Sequence, residues 1–232
     1  MDKRRRVSWW TVAAFSILLA GLGTPTAVGE DQSPAQAGEQ VGIEGTFVRV
    51  ATNDEGWVVV GYRIANDSVG EEWMLLDVGM TLTGKGAVHT VARDDIKLVT
   101  PGGQVLSLPT QEEFEKVRGS LMALVKRAAM VGDSINYFPS AADRPCSLRL
   151  FTEPGFRGPV LSQDEVDLDS NSACVGRIYF QVPGGIQLGN YNLDVKFASS
   201  IVKVPMEIMT EERAKEFTKQ WKEAEKAARK KN

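Results

Sequence analysis

The stretch Trp57–Thr83, WVVVGYRIANDSVGEEWMLLDVGMTLT, decides how the rest of the chain is organised. Side chains alternate between the two faces of a strand, so apolar residues at every second position predict two strands that each bury one face. Folding the stretch back about residues 66–72 predicts four facing pairs: Val58 with Met80, Val60 with Val78, Tyr62 with Leu76, and Ile64 with Met74. A slip of one residue would expose an apolar set, so we predict a core hairpin of an antiparallel sheet in one register.

The other face of this predicted hairpin is mixed in character. It carries three polar side chains and four apolar ones, namely Arg63, Asp77 and Thr81 with Trp57, Val59, Trp73 and Leu75. Because this much apolar surface is unfavourable in water, we expect that face to be at least partly covered by another segment.

The N-terminus carries the pattern of a secretory signal peptide. A basic run over residues 3–6 precedes an apolar run over residues 7–23, and small residues follow up to a predicted cut after Gly29. The alternative is an uncleaved membrane anchor with its basic end inside, because the apolar run is nearly long enough to span a bilayer. Residues 30–40 are polar and predict a flexible linker. The pattern therefore predicts a secreted or periplasmic protein.

Length indicates how many domains the chain can form, and net charge indicates which partners it can bind. The chain has 232 residues, enough for one large domain or two small ones. Removing residues 1–29 leaves 23 basic and 29 acidic residues, a net charge of −6. Nucleic acids are bound mainly through Lys and Arg that neutralise phosphates, so we expect no nucleic-acid partner.

Two cysteines, Cys146 and Cys174, lie in the part that follows the predicted cut. In an oxidising compartment an even pair is most simply a disulfide, which would stabilise the fold by about 3–4 kcal/mol in the chain-entropy model. The alternative, free or metal-binding thiols, lacks the close Cys and His spacing of zinc sites. We therefore predict a Cys146–Cys174 disulfide.

Further alternating segments predict strands around residues 43–51, 88–92, 96–99, 105–108, 146–150, 177–182, 191–197 and 201–208. Helical spacing interrupts them once, at about residues 111–129, after a capping box of Thr110 and Glu113. Gly119 lies inside that pattern and destabilises a helix by about 1 kcal/mol relative to Ala, which allows a break there. The pattern predicts a mainly β protein, an antiparallel sandwich or barrel over residues 41–209 with one inserted α-helix and a C-terminal α-helix.

Residues 210–232 predict an amphipathic C-terminal helix capped by Thr210. Its apolar stripe contains Phe217 and Trp221 among alanines. One interpretation docks this stripe on the sandwich. The other leaves the helix exposed, so that Phe217, Trp221 and the basic end bind a partner or a membrane surface.

Several of these segments together resemble a known family. Residues 62–67 and 73–78, residues 179–183, and the closing strands 191–197 and 201–208 are similar to secreted bacterial immunoglobulin-like proteins of the telokin-like group. The resemblance covers roughly half of the chain after the predicted cut and rests on core pattern. The helix at 111–129 and the cysteine-bounded segment depart from the family pattern. The resemblance implies that residues 41–209 form an antiparallel immunoglobulin-like β-sandwich in an extracytoplasmic setting, and it transfers no functional residues.

The segment 163–171, QDEVDLDSN, is the most suggestive candidate for chemistry. Asp167, Asp169 and Asn171 alternate like the opening of a calcium-binding loop, in which carboxylate and amide oxygens collect around a hard cation. Ser172 and Ile178 then stand where the helix-loop-helix calcium motif needs Gly and Glu. The alternatives are a looser calcium-stabilised module and an ordinary solvated loop.

No nucleophile–base motif stands out elsewhere in the sequence. A hydrolase would need a site assembled in three dimensions, from Asp164, Glu165 and Asp167 with Asp94 or the single histidine, His89. We therefore expect a non-enzymatic binding or interaction module without a cofactor, whose partner is another envelope or extracellular protein. A hydrolase and a calcium-stabilised module remain the alternatives.

Overall fold

A computed structural model describes residues 39–158 and 162–229 of the chain. The predicted signal peptide or anchor, residues 1–29, and all but the last two residues of the predicted linker lie outside this range. Within it, the protein is mainly β, an antiparallel sandwich, as predicted. The larger sheet has the strand order β1-β2-β3-β4-β10-β8. Its strands are β1 (Gln40–Gly45), β2 (Val48–Thr52), β3 (Gly56–Gly61), β4 (Trp73–Leu82), β10 (Ser172–Gln181) and β8 (Arg144–Ser147).

The second sheet has the order β12-β11-β6-β7 and packs on the first. Its strands are β6 (Ile96–Val99), β7 (Val105–Ser107), β11 (Gly189–Lys196) and β12 (Ile201–Ile208). A separate two-stranded sheet pairs β5 (Val88–Ala92) with β9 (Glu165–Asp169). Alternate side chains of both large sheets meet in one core, which includes Val58, Met80, Ile178, Leu193 and Val204.

The predicted hairpin register is confirmed for its first half and wrong for its second. Val58 lies opposite Met80 and Val60 opposite Val78. The strand then ends at Gly61, and residues Arg63–Asn66 form a short helix, α1, so Tyr62 and Ile64 have no partner in β4. On its other edge β4 pairs with β10 from Trp73 to Met80, so Met74 faces Phe180 and Leu76 faces Ile178. Alternation identified the buried residues but could not identify their partners.

Two other predicted strands are corrected. The single strand expected over residues 43–51 is a hairpin of β1 and β2, with a register shift between Ile43 and Gly45 where the chain bends. The strand expected at residues 146–150 is β8, which ends at Ser147 and runs parallel to β10. Alternation along a strand does not show whether the neighbouring strand runs parallel or antiparallel. We expected antiparallel strands throughout, and the parallel direction of β8 could not be predicted from alternation.

The inserted helix is broken where Gly119 permits a break. Helix α2 (Gln111–Val117) starts at the predicted capping box, a short 3-10 turn covers Arg118–Leu121, and α3 (Met122–Val131) follows. Phe114, Leu124 and Ala128 point into the core from these helices. The helices lie on the outer face of the β4–β10 pair, which is the cover that the mixed hairpin face requires.

The C-terminal helix, α4 (Glu211–Arg229), follows directly on β12. Thr210 accepts a hydrogen bond from the backbone N–H of Arg213, which confirms the predicted cap. Ala214 is buried, and Phe217 packs against the core. Within residues 39–158 and 162–229, no helix has the length and apolarity of a membrane span.

Candidate functional site

An open cleft of about 390 Å³ lies on the outer face of the β4–β10 pair. Asp77 of β4 and Arg177 and Val175 of β10 form its floor, because outward positions of paired strands share one face. The end of α3 and the segment that follows it form one wall, at Gly132 and Asp133. We call this site, with Glu153 on its opposite rim, the Asp77 cleft.

The floor of the Asp77 cleft is an ion pair across two neighbouring strands. Asp77 and Arg177 are direct partners in the register, and the Arg177 Nε donates to Asp77 Oδ1 over 3.1 Å. Their side chains retain only 18% and 25% of their exposure, Asp77 having the smaller value. Burial raises the pKa of Asp77 above its ordinary value, and the attraction of Arg177 opposes that rise without cancelling it.

Glu153 extends the pair into a short chain of polar contacts. Its Oε2 accepts hydrogen bonds from Arg177 Nη1 at 3.5 Å and from the Tyr179 hydroxyl at 3.3 Å. Tyr179 is fully buried against the rings of Phe114 and Phe151, and burial raises its pKa. The phenol therefore stays a hydrogen-bond donor, and it fixes the position of Glu153 relative to the core.

The wall of the cleft is held by a second ion pair. Arg63 donates from Nε and Nη2 to the two carboxylate oxygens of Asp133, at 3.0 and 2.8 Å. Beyond it, the Trp57 indole N–H donates to the Tyr137 carbonyl over 2.8 Å, and the Phe138 ring covers Gly79 so closely that any Cβ there would clash. These contacts attach the irregular segment after α3 to the outer face of the sheet.

The cleft has a charged centre beside exposed apolar residues. Three carboxylates, from Asp77, Asp133 and Glu153, are paired with the two guanidinium groups of Arg63 and Arg177, which leaves one negative charge in excess. Val175 is 39% exposed on the floor, and Met130 and Val131 are exposed where α3 reaches the wall. Such a surface is suited to contact with another molecule that brings a cation and apolar area.

The predicted calcium residues lie elsewhere, on the β5–β9 sheet. Residues 165–169 form a strand where a loop was expected, because Val166 and Leu168 are buried against β5. Asp167 accepts a hydrogen bond from Thr90. Asp169 accepts from the backbone N–H of Asn171 and pairs with Arg144, and these hydrogen bonds lower its pKa. Among the described residues no group of three or more His, Cys, Asp or Glu could hold a metal ion. The calcium site stays a prediction.

The residues of the predicted hydrolase site are spread over that same small sheet. Asp164 pairs with Arg93, and Asp94 pairs with Lys97. Glu165 lies at the far end of β9 from His89, which faces Leu168 and stacks beside the Phe197 ring. These side chains are not part of the Asp77 cleft.

The predicted disulfide is present. Cys146 and Cys174 are direct partners on the parallel strands β8 and β10, and their sulfur atoms are bonded. Cys174 is buried in the core. The disulfide joins the edge strand β8 to β10, which is the strand that carries Arg177.

The two predicted partner-binding residues have different surroundings. Phe217 packs against the core, with the Arg49 guanidinium 5.3 Å from its ring centroid and the same guanidinium 5.3 Å from the Tyr62 ring. Trp221, one turn further, is half-buried. The apolar stripe of α4 thus docks at its first two turns, and a partner-binding role for Phe217 and Trp221 stays a prediction.

Sequence reasoning placed Asp77 on the covered face of the hairpin but did not connect it to Arg177, Glu153 or Asp133. The sequence contained one signal for Arg177. Ile178 and Phe180 point inward, so Arg177 lies on the outward face of the same strand. No protein-family model, curated protein or solved structure matches the chain.

Proposed function

We propose that this protein is a non-enzymatic interaction module that acts outside the cytoplasm and binds another envelope or extracellular protein at the Asp77 cleft. The observation that carries the proposal is the half-buried Asp77–Arg177 pair on the floor of an open cleft bordered by exposed Val175, Val131 and Met130. Interfaces concentrate their binding energy in such partly desolvated centres, whose apolar surroundings exclude water when the partner docks.

The extracytoplasmic setting rests on two features. The first is the signal-peptide pattern of residues 1–29, which belongs to the sequence alone. The second is the Cys146–Cys174 bond, because disulfides persist mainly in oxidising compartments. A disulfide in a small β protein is the common form of stabilisation for domains that work outside the cell.

The chemistry of the cleft favours binding over catalysis. Each of its charged groups already has a partner of opposite charge, and Glu153 is held by both Arg177 and Tyr179. A general acid or base needs a group that is poised to exchange a proton with a substrate. The single excess negative charge favours a basic side chain on the partner, placed near Glu153, the most exposed of the three carboxylates.

Site-specific photo-crosslinking in the native host tests the proposal. A photoreactive amino acid replaces Val175 in the cleft, and in a matched variant it replaces Val105, an exposed valine of the edge strand β7. We expect one discrete protein adduct at position 175, absent at position 105 and lost when Glu153→Lys, which repels a basic partner, is added to the Val175 variant. Equal labelling at both positions, or no adduct at position 175, would show that the cleft is not the binding surface.

A further inference from the structure

Helix α4 carries a straight row of four lysines, Lys215, Lys219, Lys222 and Lys226, which we call the lysine face. Their spacings of four, three and four residues place them on one side of a helix. All four are exposed, and with Thr218 and Glu223 they line a shallow groove of about 380 Å³. At 1.5 Å per residue the row extends about 16 Å along the helix.

The docking of α4 fixes the direction of the lysine face. Phe217 lies about half a helical turn away from Lys215 and Lys222, and its ring packs against the core. The Thr218 hydroxyl, on the flank, hydrogen-bonds to the Thr46 hydroxyl over 2.7 Å. The sandwich therefore contacts the helix along one border of the row, and the lysines remain exposed to solvent.

One lysine of this face forms an ion pair within the described side chains. Lys215 pairs with Glu211, one turn earlier on the helix. For Lys219, Lys222 and Lys226, no ion pair is formed with a carboxylate whose position the structure describes. Glu223 is the acidic residue in the groove, so the row keeps a net positive charge.

The rest of the protein has the opposite sign. Residues 39–210 contain 15 basic and 22 acidic side chains, a net charge of −7. The chain therefore separates its charges, with an acidic body and a cationic row on one outward helix. A negatively charged surface would repel the body and attract α4, so it would meet the protein in one orientation.

We infer that the lysine face binds an anionic lipid surface. The row is straight and lies on the convex side of a helix, without the aromatic or aliphatic residues that form the centre of a protein interface. Extended, flexible ammonium groups on a helix are suited to a planar layer of phosphate headgroups, where each lysine adds to the affinity. The sequence placed membrane contact on Phe217, Trp221 and the basic end of the helix; in the structure the Phe217 ring packs against the core. This inference does not depend on the function proposed for the Asp77 cleft.

Vesicle co-sedimentation of the protein, purified as its host processes it, tests the inference. Wild-type protein and the triple variant Lys219→Gln/Lys222→Gln/Lys226→Gln are titrated with vesicles of phosphatidylcholine alone or mixed with phosphatidylglycerol. We expect the wild type to bind vesicles with phosphatidylglycerol more tightly than vesicles without it. The triple variant should bind the phosphatidylglycerol vesicles with roughly 100-fold lower affinity than the wild type. In about 1 M NaCl the increase should vanish, because screening then acts over roughly 3 Å.

The matched control is Lys85→Gln/Lys116→Gln/Lys126→Gln, which removes the same charge from exposed lysines of the body. It should bind phosphatidylglycerol vesicles like the wild type, and thermal unfolding should show all three proteins equally folded. Equal affinity of the wild type and the triple variant would overturn the inference. So would an equal loss in both variants, or binding to polyglutamate or DNA without binding to the anionic vesicles.

Discussion

The carboxylate of Asp77 and the guanidinium of Arg177 meet over 3.1 Å, although 99 residues separate them along the chain from Val78 to Gly176 and they belong to different halves of the sequence. They face each other because β4 and β10 pair in direct register, with both residues on the outward side. The contact places a half-buried charge pair under the opening of the cleft, where it serves both the stability of the sheet and the proposed binding surface.

Replacing Arg177 with Met should destabilise the fold by about 2 kcal/mol at neutral pH, because Asp77 is left half-buried without its cation. Burial already holds the pKa of Asp77 above its unfolded value, so the folded state binds this proton more readily. Stability from this group is then greatest below its unfolded pKa and declines as pH rises towards the folded pKa. Denaturant unfolding at several pH values should show a steeper decline in Arg177→Met.

The double variant Asp77→Asn/Arg177→Met is the control for that prediction. It removes the buried charge together with its partner, so it should be more stable than Arg177→Met at neutral pH and lose the added pH dependence. If Arg177→Met matched the wild type at every pH, the pair would contribute nothing to the fold.

Glu55 should stabilise the protein in the acid range. It clamps the β2–β3 turn to the β11–β12 turn by accepting hydrogen bonds from the backbone and hydroxyl groups of Ser199 and Ser200, which lower its pKa to about 2. This stability is present above the unfolded pKa and lost as pH falls through about 2. The side chain is solvent-accessible, so Glu55→Gln should cost only about 1 kcal/mol at neutral pH.

Urea unfolding of Glu55→Gln and of its exposed neighbour variant Asp54→Asn separates this clamp from a general charge effect. We expect the Glu55→Gln penalty to shrink as pH is lowered from neutral towards pH 2, and Asp54→Asn to stay near the wild type. If the loss of stability in Glu55→Gln did not depend on pH, the shape of the side chain, and not its ionisation, would be the cause of that loss.

Two glycines should respond oppositely to alanine. A Cβ at Gly176 would lie 2.1 Å from the Leu148 carbonyl oxygen, where the backbone crosses β10, so Gly176→Ala should cost about 1–3 kcal/mol. A Cβ at Gly119 meets nothing within 4 Å between α2 and α3, so Gly119→Ala should stabilise by about 0.5–1 kcal/mol. Calorimetric melting temperatures distinguish the two, and a drop for Gly119→Ala would show that the break between the helices needs glycine.

Arg49 should hold α4 on the sandwich. Its Nη1 donates to the carbonyls of Gly45 and Val48, and its guanidinium lies between the rings of Tyr62 and Phe217. Arg49→Met should destabilise by about 2 kcal/mol and accelerate hydrogen exchange in α4, because the cation–π contacts and the charged hydrogen bonds are lost together.

Arg213→Met is the comparison on the same helix. Arg213 makes ion pairs of 3.8 and 3.6 Å with Glu207 and Glu216 at the surface, and its loss should cost less than about 0.5 kcal/mol. If exchange in α4 were unchanged in Arg49→Met, Phe217 and Thr218 alone would hold the helix.

Much of the local structure could be predicted from residue patterns. The start of the inserted helix followed from the side chains of Thr110 and Glu113, and the buried faces of β4, β11 and β12 followed from alternation. The cap at Thr210 was also predicted, since it depends on residues within one turn, whereas the single helix expected over residues 111–129 is broken near Gly119. These features are local, and their energetics are set by neighbours in the sequence.

The candidate site could not be predicted in this way. Asp77, Asp133, Glu153 and Arg177 come from a strand, a helix-following segment, a loop and another strand. Alternation states which side of a strand a residue faces, but it does not state which strand lies next to it. Even the expected strand from Val58 to Ile64 ends early, at Gly61, and β4 has β10 as its neighbour on the edge opposite to β3.

The sequence by itself determined the buried faces of the main strands, the starts of the inserted and C-terminal helices, and which cysteines are available to bond. The tertiary structure decided the partner of each strand, the parallel direction of β8 and the face of α4 that docks. The physical reason is that burial and capping are decided within a few residues of the chain. Strand pairing and helix docking depend on contacts between segments that only the folded core brings together.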